Sequence, residues 1–327
     1  MNNFRMIYNR LNRLAAISVA VVLLPLLMAC EHKELCYDHS HTSPLEVVFD
    51  WGRAPGANPA TMSLYLFPED GSEPMRYEFT NRTGGIIDVP NGVYDAICLN
   101  SDKETHRLVN MERMETFEVT TGSIRALRGA LLSKSDSAPL ARGAEAERSV
   151  QEPEALWTAH AERIHVRPEM EERRLLMIPM SQVINCSVEV RNVQNLRQAT
   201  AISASLTGMA GGWRAGIDEL TDEKVTIPFE VNANIDKSML TARLTFFGHC
   251  PRSTTRHKVM IYVQMSDGST YFYEEDVTDQ VHSPLQDPTH IRIVLKKLSL
   301  PKPTTSGGGL QPTVKEWEEV RIDVPMS

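Results

Sequence analysis

Residues 45–51 read LEVVFDW, and in this stretch large apolar side chains recur at every second position. Successive side chains of a β-strand point to opposite faces, so a period of two predicts a strand with one buried and one solvated face. The buried face would hold Leu45, Val47, Phe49 and Trp51. This pattern indicates the fold class, because the same period recurs along much of the chain.

The other alternating runs are separated by turn residues. Runs at 62–67, 75–79, 93–99 and 116–119 are punctuated by Pro-Glu-Asp-Gly at 68–71, Gly-Gly at 84–85 and Pro-Asn-Gly at 90–92. Later runs lie at 164–166, 184–190, 225–231, 240–246, 259–265, 271–273 and 291–295. Short strands with a turn signal about every ten residues are typical of antiparallel β-sandwiches. In the run at 184–190 we expect Cys186 to be buried.

The first 30 residues have the composition of an export signal. Three arginines precede an uncharged apolar run at 14–28, which is interrupted by Pro25. The run is shorter than the roughly 20 apolar residues that a transmembrane helix needs. It closes with Leu-Met-Ala-Cys at 27–30, which resembles the lipobox of bacterial lipoproteins. We therefore expect cleavage after residue 29 and acylation of Cys30, with an ordinary secretory signal or an uncleaved anchor helix as the alternatives.

The composition restricts the classes of partner and site. The formal net charge is −8, and it becomes −11 without residues 1–29, which contain three Arg and no acidic residue. An acidic chain repels phosphate backbones, so we expect no nucleic-acid partner. Five cysteines are too few for a disulfide scaffold. The sequence has no Gly-x-Ser-x-Gly, His-Glu-x-x-His or phosphate-binding loop, and it indicates neither an enzyme nor a cofactor.

Residue types that bind transition metals occur just after Cys30. Their spacing contains no Cys-x-x-Cys or His-x-x-x-His pair, and a polar tether leaving the membrane would not orient them. We therefore predict a solvated tether or packing on the first strand, and no metal site, for this group, which comprises His32, Cys36, Asp38, His39 and His41.

The succession of strands stops between residues 133 and 154, where large apolar side chains become scarce. We interpret this segment as a linker or long loop. The predicted organisation is a signal peptide at 1–29, a lipidated tether at 30–43, an N-terminal sandwich at 44–132, the linker or long loop at 133–154, a C-terminal sandwich at 155–300, and a Pro/Gly tether with a terminal strand at 301–327.

Several motifs occur in an order that is characteristic of one family. Residues 64–71 read LYLFPEDG, residues 89–94 read VPNGVY, and the next strand ends at Asn100. They resemble a strand ending in an acidic-Gly turn and a Pro-x-Gly-x-Tyr turn in the N-terminal domain of fimbrillin-type and minor-fimbrium anchor lipoproteins of Bacteroidetes. Residues 156–157, 164–166, 183–193 and 206–210 resemble the start of that family's C-terminal domain. Residues 30–41 and 317–324 are similar to an uncharacterised branch of lipoproteins from the same bacteria.

This resemblance implies an all-β chain with two tandem transthyretin-like antiparallel β-sandwich domains behind a lipoprotein signal peptide. It also implies a membrane-anchored surface lipoprotein at the outer membrane or cell surface, acting as an anchor or accessory structural subunit of fimbria-like fibres. The partners would be the lipid membrane, through acylated Cys30, and fimbrial subunits, through β-strand pairing. The residues themselves support the architecture and are silent on the fibre, because sandwich folds host many functions.

Aromatic residues suggest the alternative function, a glycan-binding surface lipoprotein, because sugar rings stack on exposed indole rings. Trp51 and Trp317 lie in or beside alternating strands and are predicted to pack within the fold. Trp213 lies in the Gly-rich stretch 208–216 and is the candidate for an exposed stacking ring.

One candidate modification site lies in the segment interpreted as a linker or long loop. The tripeptide Asp-Ser-Ala at 136–138 is similar to the sequence that Bacteroidetes glycosylate on exported proteins. A loop on the surface is accessible to modifying enzymes. We therefore expect Ser137 to be a candidate site of O-glycosylation.

The terminal strand pattern at 314–324 is expected to pair with some sheet edge. Its apolar stripe is unfavourable in water, and a sheet edge provides hydrogen-bond partners for the backbone. In the resembled family such a strand can be donated to a neighbouring subunit, which is β-augmentation. We predict closure on the chain's own sheet, because intramolecular docking has a high effective concentration. The stripe comprises Trp317, Val320, Ile322 and Val324.

Overall fold

The structure, a computed structural model, describes residues 41–168, 173–249, 254–302 and 317–320. In chain order its strands are β1 (Thr42–Phe49), β2 (Met62–Pro68), β3 (Met75–Phe79), β4 (Gly84–Pro90), β5 (Gly92–Asn100), β6 (His106–Val109), β7 (Glu118–Thr121), β8 (Arg148–Ser149), β9 (Trp157–Val166), β10 (Arg174–Met177), β11 (Met180–Ser181), β12 (Ile184–Val190), β13 (Val193–Gln194), β14 (Ala199–Ala210), β15 (Gly212–Arg214), β16 (Glu219–Leu220), β17 (Lys224–Glu230), β18 (Asn232–Asn234), β19 (Met239–Phe246), β20 (Lys258–Met265), β21 (Thr270–Asp276), β22 (His290–Leu295), β23 (Leu298–Ser299) and β24 (Glu318–Glu319). The helical segments are α1 (Thr278–Val281) and 3-10 helices at Met114–Thr116, Gly129–Ser137 and Leu196–Gln198. Within the described ranges, no helix has the length and apolar character needed to cross a membrane.

The N-terminal sandwich packs the sheet β10-β1-β4 against the sheet β11-β9-β5-β2-β3. Leu45, Val47 and Phe49 of β1 are buried between these sheets, which confirms the face predicted from the alternation. Trp51 lies in the same core, and its indole N–H donates to the carbonyl of Arg82 at 2.6 Å. Burying a large apolar side chain contributes about 1.5–3 kcal/mol, so this face is a main source of the sandwich's stability.

The C-terminal sandwich packs the sheet β18-β19-β12-β22 against the sheet β24-β21-β20-β14-β17-β8. Cys186, Val188 and Val190 of β12 face this core, and the predicted burial of Cys186 is confirmed. The all-β prediction of two sandwiches in tandem is therefore confirmed as well. Most strand pairs among the described residues are antiparallel. The parallel pairs each include a strand at the edge of its sheet, namely β8, β10, β22, β23 or β24.

A third apolar cluster joins the two sandwiches. Tyr65, Phe67, Ile97 and Leu99 lie on the outer face of the five-stranded sheet, opposite its own core. They pack with the small sheet β16-β15-β7-β6 and with residues beside the C-terminal sandwich, so the cluster resists separation of the two halves. The further members of this cluster are Met114, Phe117, Val119, Leu156, Val183, Ala215 and Phe247.

The predicted boundary between the sandwiches at residue 155 is wrong. β9 pairs antiparallel with β5, from Gly92–Val166 to Leu99–Thr158, and β10 pairs in parallel with β1. Strands β9 to β11 therefore belong to the N-terminal sandwich, and, apart from the short edge strand β8, the C-terminal sandwich is built from β12 onward. Alternation in a sequence identifies a strand and its buried face, but it does not identify the neighbouring strand.

The sequence leaves a linker or a long loop open for residues 133–154. In the structure they are mainly a loop on the C-terminal sandwich, and only the residues after β8 lead back to β9 of the N-terminal sandwich. Most of the segment covers the outer face of the six-stranded sheet, and Arg148–Ser149 add to that sheet's edge as β8. Small side chains fill this contact, which is why the sequence shows no strand or helix period there. The buried cluster contains Leu127, Leu131, Ala141, Ala144, Met260 and Tyr262.

Candidate assembly edge

The six-stranded sheet ends at β24, where the described C-terminal residues form its outermost strand. Glu318 and Glu319 pair in parallel with Tyr271 and Phe272 of β21. The amide of Val320 donates to the carbonyl of Phe272 at 3.1 Å. The terminal strand thus lies on the chain's own sheet, in the arrangement predicted as closure in cis. If β24 left, the edge would be β21, a strand of 7 residues with backbone groups open to pairing.

The apolar residues of β24 and its flanks face opposite sides of the sheet. The Trp317 ring packs edge-on against the Tyr262 ring, with 5.5 Å between centroids and 79° between planes. Val320 packs instead against the core of the C-terminal sandwich. Residues three positions apart in a strand must point to opposite faces, so the predicted single stripe is wrong for Trp317. The other two predicted members, Ile322 and Val324, lie outside the described residues.

Tyr262 connects the terminal strand to residues 133–147, the covering segment of the six-stranded sheet. Its hydroxyl donates to the carbonyl of Pro139 at 2.7 Å. Burial raises the pKa of Tyr262 to about 12, so the phenol keeps its proton and remains a donor at neutral pH. The indole N–H of Trp317 in turn donates to the Ser137 hydroxyl at 3.4 Å. The terminal strand and residues 133–147 therefore stabilise each other on this face.

Ion pairs border the same edge. The Arg142 guanidinium contacts the Glu319 carboxylate and lies 3.9 Å from Oε1 of Glu274. Lys258 Nζ lies 2.8 Å from Oε1 of Glu274 and donates to the Arg142 carbonyl at 2.7 Å. Because the Arg142 side chain is 62% exposed, its pair with Glu319 contributes little energy, about 0–1 kcal/mol. These charges orient the strand more than they stabilise it.

The acidic run at 274–276 takes part in structural contacts. Glu274 pairs with Lys258, as described above, and Asp276 pairs with Arg256 at 2.8 Å. Burial raises the pKa of Glu275, and the neighbouring charge of Asp276 raises it further. Glu274 and Asp276 are therefore part of a charged strand end that is held by ion pairs.

The candidate modification sites differ in their placement. Ser137 is exposed at the end of a 3-10 helix, where its hydroxyl donates to the Lys134 carbonyl at 3.1 Å. This position is as accessible as the sequence predicts. Cys30 lies outside the described residues, as do His32 to His39 of the group after it, and His41 is exposed.

Trp213 is placed differently from the sequence prediction. Its ring is partly buried and packs against the apolar cluster that joins the sandwiches. The indole Nε1 is buried and has no hydrogen-bond partner among the described residues. Pairing of β15 with β7 turns this side chain inward, a consequence of sheet pairing that a Gly-rich sequence does not reveal. The ring is therefore not the exposed stacking platform that the sequence predicts.

Two cysteines of the described residues, Cys98 and Cys186, are free and buried. Burial raises the pKa of each thiol to about 12, so neither is a reactive thiolate at neutral pH. They are core residues of the two sandwiches rather than redox or metal-binding groups.

The sequence identifies Trp317 but not the residues that receive it. Tyr262 occurs in an alternating run, and Arg142 occurs in the segment interpreted as a linker or long loop. Tyr262 itself could have indicated this contact, because it lies on the face of β20 that points away from the sandwich core. A large aromatic ring on such a face is expected to be covered by another segment of the chain.

Comparison with known families gives one match over most of the chain. Residues 29–230 match the family described as "Domain of unknown function (DUF5119)". The chain belongs to the DUF5119 family. The DUF5119 match starts beside Cys30 and ends with β17, so it includes the N-terminal sandwich and the first strands of the C-terminal one.

A curated relative of this DUF5119 protein comes from Bacteroides ovatus and is described as an inferred fimbrium anchoring subunit, Fim4B. The two are 24% identical over 230 residues, which is 69% of this chain and 63% of the relative. The match thus spans less than two thirds of the relative's length. It confirms the resemblance to fimbrial anchor proteins seen in residues 64–100.

Two solved structures share the fold. A candidate adhesin from Bacteroides ovatus superposes with a TM-score of 0.62 and 20% identity, covering 85% of this chain and 99% of the adhesin. A protein of Bacteroides thetaiotaomicron described among candidate polysaccharide-binding proteins gives a TM-score of 0.51 and 9% identity, covering 77% and 91% of the two chains. At these identities the likeness concerns the fold alone.

Proposed function

We propose that this protein is an anchor or accessory subunit of a fimbria-like surface fibre, held at the outer membrane by acylated Cys30. The observation that carries the proposal is the similarity to the fimbrium anchoring subunit Fim4B over 69% of the chain. The relative's described role is brought to this chain as part of the proposal. No catalytic role is included, because the matched relative is described as an anchoring subunit and not as an enzyme.

The membrane anchor is supported by the N-terminal sequence. The apolar run at 14–28 ends two residues before Cys30, and the family match begins at residue 29, which leaves that run outside the family's domain. A diacylglycerol group and an amide-linked palmitate on Cys30 would provide several acyl chains. Because one chain binds a membrane only marginally, at about 0.8 kcal/mol per buried CH2, several chains are needed for stable anchoring.

The contact with the fibre is proposed at the β21–β24 edge. Among the described residues, β24 pairs with β21 at two positions, and β21 has 7 residues, so the remaining positions of this edge are the proposed acceptor for a strand from a fibre subunit. Main-chain pairing would provide affinity, and the apolar contacts made by Trp317 and Val320 show which kinds of side chain the two faces accept.

Replacement of the acylated cysteine tests this function. In cells carrying Cys30→Ser, the protein should move from the membrane to the soluble fraction, and its fibres should be released into the medium. Cys36→Ser is the matched control, since it removes a nearby thiol without removing the acceptor, and it should behave as wild type. Membrane retention of Cys30→Ser with fibres still attached would contradict the proposal.

The glycan-binding alternative has weaker support. A cleft of about 1380 Å³ lies on the outer face of the sheet β18-β19-β12-β22, and it is lined by polar side chains such as Asn185, Ser187 and Thr241. Its lining among the described residues includes no Phe, Tyr or Trp on which a sugar could stack. Oligosaccharide binding that is lost in Trp213→Ala, without loss of stability, would favour this alternative.

Ser137 is proposed as an O-glycosylation site of the native protein. Its exposure and its place on the covering segment support access by a modifying enzyme. Intact-mass measurement of native protein should show a sugar mass that Ser137→Ala removes, with Ser133→Ala as the matched control on the same exposed segment. A wild-type mass equal to that of the acylated polypeptide would exclude this modification.

A further inference from the structure

Three histidines from distant parts of the sequence meet beside the C-terminal sandwich. His249 lies three residues after β19, His257 immediately precedes β20, and His282 immediately follows α1. Each offers one ring nitrogen, and these three atoms all lie within 4.8 Å of one another. The ring centroids of the three pairs are 5.8, 4.9 and 4.8 Å apart. The nitrogens thus converge on one small volume.

His257 is held in a fixed orientation. Its ring is buried, and Nδ1 lies 3.2 Å from the carbonyl oxygen of Thr207. A carbonyl only accepts, so Nδ1 carries the proton and Nε2 keeps its lone pair in the neutral ring. That Nε2 lies 2.9 Å from Nε2 of His282. A metal-ligating histidine typically donates its other ring N–H to a carbonyl in this way, which fixes the tautomer and orients the ring.

The backbone around His257 is built to accommodate this ring. The pairing of β14 with β17 shifts register between Leu206 and Met209, which is a β-bulge at Gly208. Gly208 has a φ of +76°, and a Cβ there would lie 2.8 Å from Nδ1 of His257. Only glycine allows the strand to approach so closely. Bulges of this kind often redirect groups at functional sites.

The other two histidines are also positioned by main-chain contacts. His249 forms a β-bridge with Met209, next to the bulge. The amide of His282 donates to the carbonyl of Thr278 at 2.9 Å, and the Thr278 hydroxyl accepts from the amide of His257 at 2.9 Å. The rings of His249 and His282 are partly exposed, so the cluster has access to solvent.

We propose that His249, His257 and His282 bind one divalent transition-metal ion through their ring nitrogens, with a fourth position for water. Tetrahedral Zn²⁺ with Zn–N bonds of about 2.0–2.1 Å places its ligand nitrogens roughly 3.3 Å apart. Nε2 of His257 and Nε2 of His282 are 2.9 Å apart, and the three ligand nitrogens all lie within 4.8 Å of one another, so small side-chain rotations would reach that geometry. Three imidazoles are suited to Zn²⁺, Co²⁺, Ni²⁺ or Cu²⁺ rather than Mg²⁺ or Ca²⁺.

Protonation at neutral pH is compatible with this role. Burial lowers the pKa of His257 to about 4, and the neighbouring rings of His282 and His249 lower it against the opposing effect of the Thr207 hydrogen bond. The ring is therefore neutral, as a metal ligand must be. Without metal, the short contact requires His282 to donate from its own Nε2. If the ion binds this nitrogen, the neutral His282 ring carries its proton on Nδ1 instead.

Zinc titration of the full chain tests the proposal. The protein should be purified in detergent with a tag that contains no histidine, treated with EDTA, and titrated with Zn²⁺ by calorimetry. We expect one Zn²⁺ per chain and affinity at least about tenfold weaker in His249→Ala and in His282→Ala. His165→Ala is the matched control, because His165 is an exposed histidine on β9, and its affinity should equal that of wild type.

Cobalt provides a second readout that a hydrogen-bonded cluster would not produce. Co²⁺ added to the wild-type protein should give the visible absorption of a four-coordinate site, and both alanine variants should lose it. Melting curves in EDTA establish that the variants are folded, and the partly exposed His249 and His282 are chosen because the buried His257 is more sensitive to replacement. The proposal is overturned if wild type shows no saturable Zn²⁺ binding, or if both variants bind as wild type does.

Discussion

Removal of the Trp317 ring tests whether the terminal strand is part of the monomer's own fold. Trp317→Ala would abolish the edge-on contact with Tyr262 and the hydrogen bond to Ser137. Loss of a fully buried Trp costs about 3–5 kcal/mol, and an aromatic pair contributes about 0.5–1.5 kcal/mol. Since Trp317 is only partly buried, we expect a loss of about 2 kcal/mol in the free energy of unfolding. That corresponds to roughly 4–8 °C in Tm.

The assay is thermal and urea unfolding of the full chain in detergent at several protein concentrations. Leu285→Ala is the matched control, because Leu285 is 94% exposed and its truncation should leave Tm unchanged. With the strand docked in cis, the loss is independent of concentration. An unchanged Tm in Trp317→Ala, or a wild-type Tm that rises with protein concentration, would refute docking in cis and favour a donated strand.

Three further predictions concern the cores and one buried acid. Burial raises the pKa of Glu152, so the native state disfavours the charged form of this side chain. The protein therefore loses stability as the pH rises from the ordinary carboxyl pKa to the raised one. Glu152→Gln should remove this loss, and a difference in stability between the variant and wild type that fails to grow between about pH 4 and about pH 7 would count against this prediction. Gly84 has a φ of +100°, and a Cβ there would lie 2.0 Å from the Val47 carbonyl oxygen. Gly84→Ala should therefore cost more than the about 1–3 kcal/mol of backbone strain alone, whereas Gly56→Ala, with open space around its Cβ, should cost far less; equal unfolding free energies for the two variants would exclude the close approach. Cys98 and Cys186 should resist a thiol reagent at pH 8 until the protein is unfolded, because burial raises both pKa values to about 12. Rapid labelling of the native protein would show that these side chains are not in the cores.

Local patterns predicted the strands and their buried faces well. β1 buries the residues that the LEVVFDW alternation places on one side, and β12 buries Cys186 as its alternation requires. Both follow from the geometry of a single strand, in which successive side chains alternate. The turn signals between the strands indicated a β-sandwich, and the family resemblance added the transthyretin-like type of the two domains and the relation to fimbrial anchors.

Long-range pairing could not be predicted in the same way. The partner of β9 is β5, more than fifty residues earlier, and nothing in either run of residues specifies the other. The covering segment at 133–147 packs with alanines and single leucines, which produce no period. Trp213 faces inward because β15 pairs with β7, a contact between distant segments.

The histidine cluster was missed for a related reason. Its members are separated by 8 and 25 positions, so no short motif contains them all. They converge only because the Gly208 bulge, the start of β20 and the end of α1 meet in the folded chain. The histidines and cysteine near Cys30 form a denser group in the sequence, yet density along a chain does not imply convergence of ligand atoms.

The proposed fibre role is tested most directly by affinity purification of the wild-type protein from native outer membranes in mild detergent, followed by mass spectrometry of everything that accompanies it. We predict that a fibre subunit is recovered in near-stoichiometric amount, and that solubilised Cys30→Ser protein, whose sandwiches are unchanged, still binds that subunit when mixed with it. Recovery of the protein without any fibre subunit, and with oligosaccharide bound in its place, would contradict the fibre role and favour the glycan-binding alternative.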